Sequence, residues 1–133
     1  MTSEQIRSGI LGYITTNWTT TDVEYPNQNF SWSGKDSWIR PSILLGDSFI
    51  GELGTTGIGE GLGVLMISIF VGLGTGTKSG NDIADALSVL FRRTEQIDGI
   101  IFDEPSIYNV GKEDEKNLYH IMFRIPFHFF IGE

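Results

Sequence analysis

Residues 72–79, GLGTGTKS, come nearest to a chemical motif in this sequence. They follow an apolar run and precede a helical pattern, the context in which a glycine loop cradles phosphate. The P-loop pattern is G-x-x-x-x-G-K-[ST], in which backbone N–H groups and a lysine hold the phosphates. Gly72, Lys78 and Ser79 fit it, but Thr77 stands where the second glycine belongs. A β-carbon there crowds the loop where a phosphate must nest. Further on, GIIFDE (99–104) resembles an apolar strand ending in a magnesium-holding aspartate. The interval from Lys78 to Asp103 is short for a nucleotide-binding domain, and the rest of the chain reads as an antiparallel hairpin rather than further parallel units. A small nucleotide-binding protein using Gly72–Ser79 is therefore the alternative reading, and a plain glycine turn between strand and helix is the preferred one.

Other reactive groups are weaker still. His120 and His128 share a strand face eight positions apart, roughly 27 Å at strand rise, too far to share one metal ion. They read as two partly exposed histidines. Asp103 and Glu104 are adjacent on extended chain, so their side chains diverge and do not form an acid pair. Trp18, Trp32 and Trp38 have the flat faces that stack bases. The chain carries 17 acids against 9 Lys and Arg, however, a net charge of −8 that builds no electrostatic funnel for nucleic acid. With no cysteine there is no thiolate nucleophile or metal site. The expectation is a non-enzyme without cofactor or metal.

The elements that position these residues centre on 62–93. Leu65, Ile67, Ile69 and Val71 alternate with Val64, Met66, Ser68 and Phe70, as in a strand with both faces at least partly covered. After the glycines, Ser79 is expected to cap a helix carrying Ile83, Ala86, Leu87, Leu90 and Phe91 in one apolar stripe, with Leu87 fully buried. Earlier, residues 3–17 form a helix with Ser3 as cap and Ile6, Ile10 and Ile14 at i, i+4, i+8. Gly9 and Gly12 weaken that helix or allow close packing. Thr21–Tyr25 and Ser37–Leu45 are strands, and Pro41 puts the second at an edge or a bulge. Residues 46–63, GDSFIGELGTTGIGEGLG, form an extended glycine-rich hairpin arm. Ile100–Val110 is strand material around Pro105, GKEDEKN (111–117) is a charged turn, and Leu118–Ile131 is a long alternating strand. Its Tyr119, Ile121, Phe123, Ile125, Phe127, Phe129 and Ile131 line one face.

The fold class that follows is α+β: two layers, a mostly antiparallel sheet of about five strands, and two helices packed on one face. Residues 1–133 make one domain. The start, MTSEQIRSG, lacks the basic and apolar regions of a signal peptide. No apolar run approaches the ~20 residues of a membrane helix.

Taken together, NWTTTDVEYPNQNF, DSWIRPSILLGDS, GVLMISIFVGLGTGTKSGNDIADALSVLFR and FDEPSIYNVGKEDEKNLYHIMFRIPFHFF resemble the tail-terminator (tail-completion) proteins of long-tailed bacteriophages. What carries the resemblance is a strand ending in G-T-G-T before an A-D-A-L helix, then P-S-I-Y-x-V-G, then a strand ending I-P-F. The turn near 52–60 is basic in that family's pattern and reads GELGTTGIG here. The resemblance implies a structural virion protein without catalytic residues. Such a protein forms a ring, a hexameric homo-oligomer, that caps the tail tube, stops its polymerisation and joins tail to head. Its partners would be the tail-tube protein and head–tail connector proteins, with no specific nucleic-acid binding and no membrane. Its place would be the virion tail, and the host cytoplasm during assembly. Phe49, Ile50, Leu53 and Ile58 in the arm are the expected subunit interface. Glu52, Glu60, Asp103 and Glu104 are the candidate acids of the ring lumen, where carboxylates would repel passing DNA.

Overall fold

The computed structural model describes residues 2–31, 36–46, 49–50, 59–72, 78–93, 96–97, 99–113 and 118–131. In chain order they form α1 (Ser3–Asn17), β1 (Asp22–Val23), β2 (Ser37–Leu45), β3 (Phe49–Ile50) and β4 (Gly59–Gly72). These are followed by α2 (Lys78–Arg93), β5 (Gln96–Ile97), β6 (Ile100–Phe102), β7 (Ser106–Glu113) and β8 (Leu118–Ile131). The protein is α+β, as its pattern predicts.

Two long antiparallel strands, β4 and β8, are the spine of the sheet. They pair along their whole lengths, from Gly59–Ile131 to Gly72–Leu118. Each is flanked on its outer side by two shorter strands that succeed one another. β2 and β3 line β4, and β7 and β6 line β8. The sheet is thus five strands wide, β1–β2–β4–β8–β7 at one end and β3–β4–β8–β6–β5 toward the other. It is mixed only because β1 runs parallel to β2. Of the expected arm at 46–63, Phe49 pairs with Glu60 and Ile50 with Gly59, residues 59–63 belong to β4 within the sheet, and 47–48 and 51–58 lie outside the described residues.

Hydrogen-bond parity explains Pro41. The Glu24 N–H donates to the Ile39 carbonyl at 2.8 Å, so Ile39 turns its backbone groups away from β4. Pro41, two residues on, does the same, and β1 has already ended. The missing donor falls on an open edge, where it costs no ladder bond.

One sheet face carries the core. Leu65, Ile67, Ile69 and Val71 from β4 join Ile121, Phe123, Ile125, Phe127 and Phe129 from β8, and Ile39 from β2. Both helices cover this face: Ile6, Ile10, Leu11 and Ile14 from α1, and Ile83, Ala84, Leu87 and Phe91 from α2, belong to the same cluster. The α2 stripe sits slightly rotated from the sequence pattern, with Ala84 buried and Ala86 and Leu90 half-buried.

Three local expectations change. The cap of α1 is Thr2, not Ser3: its hydroxyl accepts from the Gln5 N–H at 3.1 Å while the Gln5 side chain accepts from the Thr2 N–H at 2.8 Å, a full capping box. Ser79 does not cap α2, because Lys78 and Ser79 already lie inside it. The first strand shrinks from Thr21–Tyr25 to two residues. Nothing approaches the Gly12 position within 4 Å and Gly9 meets only ordinary contacts, so close packing does not account for either glycine.

Candidate assembly surface

The strand registers place the side chains of the other sheet face in rows. Trp38, Phe70 and His120 lie side by side across β2, β4 and β8. Arg40, Ser68, Met122 and Tyr108 follow, then Ser42, Met66, Arg124 and Ser106, then Leu44, Val64 and Pro126. Leu62, His128 and Ile101 complete the face.

Its first part is closed. Phe30 folds over Trp38 with ring centroids 5.7 Å apart, Trp38 stacks on Phe70 at 5.1 Å, and Phe70 on His120 at 4.6 Å. The Trp38 indole donates to Glu24 at 3.1 Å, and the Arg40 guanidinium lies 4.9 Å over the Phe70 ring with Glu24 beside it at 4.0 Å. His120 is consequently buried rather than partly exposed. Trp18 and Trp38 are both core residues, and Trp32 lies outside the described residues.

The other part is open. Leu44 is 62% and Leu62 46% exposed, and with Gly46, Gly63, Val64, Pro126, Phe127 and Asp103 they line a groove of about 370 Å³. Asp103 stands at its rim, anchored by its N–H to the Pro126 carbonyl at 2.9 Å, with its carboxylate 3.9 Å from the His128 ring. Across the sheet, β7 forms an edge strand. Its Ile107, Tyr108 and Val110 are 41–50% exposed, and a bulge between Asn109 and Gly111 twists it where Gly111 adopts φ +120°. Large apolar side chains standing in water on an edge strand mark an interaction surface.

Of the phosphate motif the structure describes Gly72, Lys78 and Ser79. The Gly72 N–H donates to the Asp36 carbonyl at 3.2 Å, closing the strand. The Lys78 ammonium is bound to Asp82 at 2.8 Å, which raises its pKa and turns it along the helix surface. Residues 73–77 lie outside the described residues. Among the described residues, no three His, Asp or Glu side chains converge as a metal site requires.

A family model for phage tail terminator proteins matches residues 5–113, from the first turn of α1 to the end of β7. The chain belongs to the phage tail terminator family. It is therefore a structural component of a phage tail, whose partners are phage tail and head proteins. No curated protein matches the sequence. One solved structure superimposes with a TM-score of 0.70, covering 100% of this chain and 99% of its own at 12% identity. At that identity the likeness shows a shared fold and no more.

Of the residues singled out in this tail terminator's sequence, Asp103 and Glu104 are exposed in the turn between β6 and β7. The backbone of Phe49, Ile50 and Glu60 lies in the β3–β4 pair, but their side chains, and Glu52, Leu53 and Ile58 entirely, lie outside the described residues. Sequence reasoning placed strand material over Ile100–Val110, where β6 and β7 lie, but found neither the exposed edge of β7 nor the groove. The available signal was weak: Ile107, Tyr108 and Val110 occupy both parities of β7, which argues against a one-sided strand, and Leu44 and Leu62 look like core residues until their rows are known.

Proposed function

We propose that this tail terminator is a ring subunit, hexameric in the tail, that caps the tail tube, stops its polymerisation and presents a surface to the head connector. The carrying observation is the family match, which spans both helices and all strands but β8. The ring is assembled in the host cytoplasm and then resides in the virion tail. In this reading the glycine-rich stretch between β2 and β4 reaches a neighbouring subunit, which buries Phe49, Ile50, Leu53 and Ile58 and supplies the contacts that order the segment. Glu52, Glu60, Asp103 and Glu104 face the lumen or its rims, and a net charge of −8 keeps the passing DNA from adhering.

The test is assembly of tails in a phage lacking the protein. Tube ends should be undefined, tail lengths variable and heads unattached, and purified protein should restore defined, joined tails. Replacing residues 49–60 by a short Gly-Ser turn should leave a folded protein that no longer rescues. Tails of normal length joined to heads without the protein would overturn the proposal.

A further inference from the structure

Two exposed apolar features of the described surface lie apart on the sheet. One is concave: the groove of Leu44, Leu62, Val64 and Pro126 on β2, β4 and β8. The other is the β7 edge, where Ile107, Tyr108 and Val110 stand exposed. The registers separate them, because β7 runs alongside residues 118–124 of β8 whereas the groove touches β8 at Pro126–Phe127. One chain cannot bring its own β7 into its own groove.

Two copies can. From these two surfaces we infer that the β7 edge of one subunit docks in the Leu44–Leu62–Val64–Pro126 groove of the next. The inference rests on the ring reading and names its contact. A groove of about 370 Å³ has room for roughly two side chains, given that a cavity of about 150 Å³ holds a benzene ring. Tyr108, on the groove side of the sheet, and Val110 at the bulge are suited to fill it. Because groove and edge are different surfaces, the contact is heterologous, and repetition of one such contact closes a ring or extends a filament, whereas an isologous contact stops at two. A protein of net charge −8 repels its own copies at long range, so apolar burial must drive this contact. Raising the salt concentration should therefore strengthen it, since screening removes the repulsion.

The chain has no cysteine, which makes disulfide trapping clean. The pair Leu62→Cys and Tyr108→Cys, in one chain, should give under mild oxidation a ladder of covalent dimers, trimers and higher species, both in concentrated protein and in protein assembled onto tail tubes. Each single variant should stay monomeric. A Tyr108→Cys chain that forms dimers alone would show an isologous edge-to-edge contact and overturn the inference. So would a double variant that keeps the native circular dichroism and yields no ladder in either setting. Light scattering on the cysteine-free chain, in solution and on tubes, separates the two levels. Rings without a ladder refute this contact and leave the ring standing, whereas the absence of any oligomer refutes the ring itself.

Discussion

Gly63→Ala should destabilise the domain although it adds only one methyl group to a strand. Gly63 lies on the core face of β4, opposite Phe127 on β8. A β-carbon built there would fall 2.5 Å from Cζ, 2.8 Å from Cε1 and 3.1 Å from Cε2 of the Phe127 ring. The ring tip occupies the space that the glycine leaves. It has little room to retreat, because Phe127 is 1% exposed and packs against Phe102 at 5.7 Å and Phe129 at 6.2 Å. Overpacking of this kind costs about 1–3 kcal/mol. Alanine returns about 0.5–1 kcal/mol by restricting the unfolded chain. The net loss is then about 0–2.5 kcal/mol, centred near 1 kcal/mol, where Tm falls by roughly 4 °C for a domain of this size.

Gly80→Ala is the control that separates ring packing from crowding in general. A β-carbon at Gly80, in the first turns of α2, would lie 2.3 Å from Cδ1 of Ile121, with the next atoms at 3.6 and 3.8 Å. Ile121 is fully buried too, but only one terminal methyl is in the way, and turning it roughly 30° off its rotamer costs about 0.5–1.5 kcal/mol. The helix gains about 1 kcal/mol when Gly becomes Ala. Gly80→Ala should therefore melt within about 3 °C of the parent. Thermal unfolding followed by circular dichroism measures both variants. The reasoning fails if Gly63→Ala is as stable as the parent, or if Gly80→Ala is the more damaging of the two.

Two further outcomes follow from the core and from the first helix. Leu87→Asp should abolish cooperative unfolding, because Leu87 is fully buried among residues of both layers and an unpaired carboxylate there costs several kcal/mol against a total stability of ~5–15 kcal/mol; a clean melt near the parent's would refute that placement. Glu4 accepts a bidentate hydrogen bond from Arg7, which lowers its pKa below 4.5, so its contribution to α1 is present above that value and lost as the pH falls through the lower folded one. A carboxyl titration by NMR should find Glu4 below 4.5 in the parent and restored toward it in Arg7→Gln, whereas an unshifted Glu4 in the parent would sink the claim.

Most of the architecture was legible because periodicity reports one-sided burial. Strands β2 and β8 appear with the bounds their alternation predicts, and Ile6, Ile10 and Ile14 are buried as their spacing requires. Cap positions were less legible, since Thr2 and Ser3 are both competent caps and only geometry chooses between them. The candidate surface was least legible. Leu44 and Leu62 have the same character as buried Leu65, and what exposes them is their row on the outer face, a property of register between strands distant in sequence. His120 shows the reverse error: a polar residue in a strand suggests solvent, but the stack of Phe30, Trp38 and Phe70 closes over it.

The groove has a cause within the fold. Strands β4 and β8 run for 14 residues each, beyond the usual five or six, and on its outer side neither is spanned by a single strand. On the β4 side the flanking strand changes from β2 to β3 past Gly46, whose N–H donates to the Leu62 carbonyl at 2.8 Å. On the β8 side it changes from β6 to β7 across Asp103–Pro105. Both changes fall near the same level of the spine, and there the groove opens, lined by Gly46 and Leu62 on one side and Asp103 and Pro126 on the other. At that level the core face is filled by the rings of Phe127 and Phe129, lying over Gly63 and Gly61. Gly63 and Phe127 therefore serve both faces: they close the core and also line the groove. Stability and assembly are coupled through this pair. Gly63→Ala should accordingly weaken subunit association by more than its loss of stability accounts for, whereas Leu87, which touches only the core, cannot alter association without first unfolding the domain.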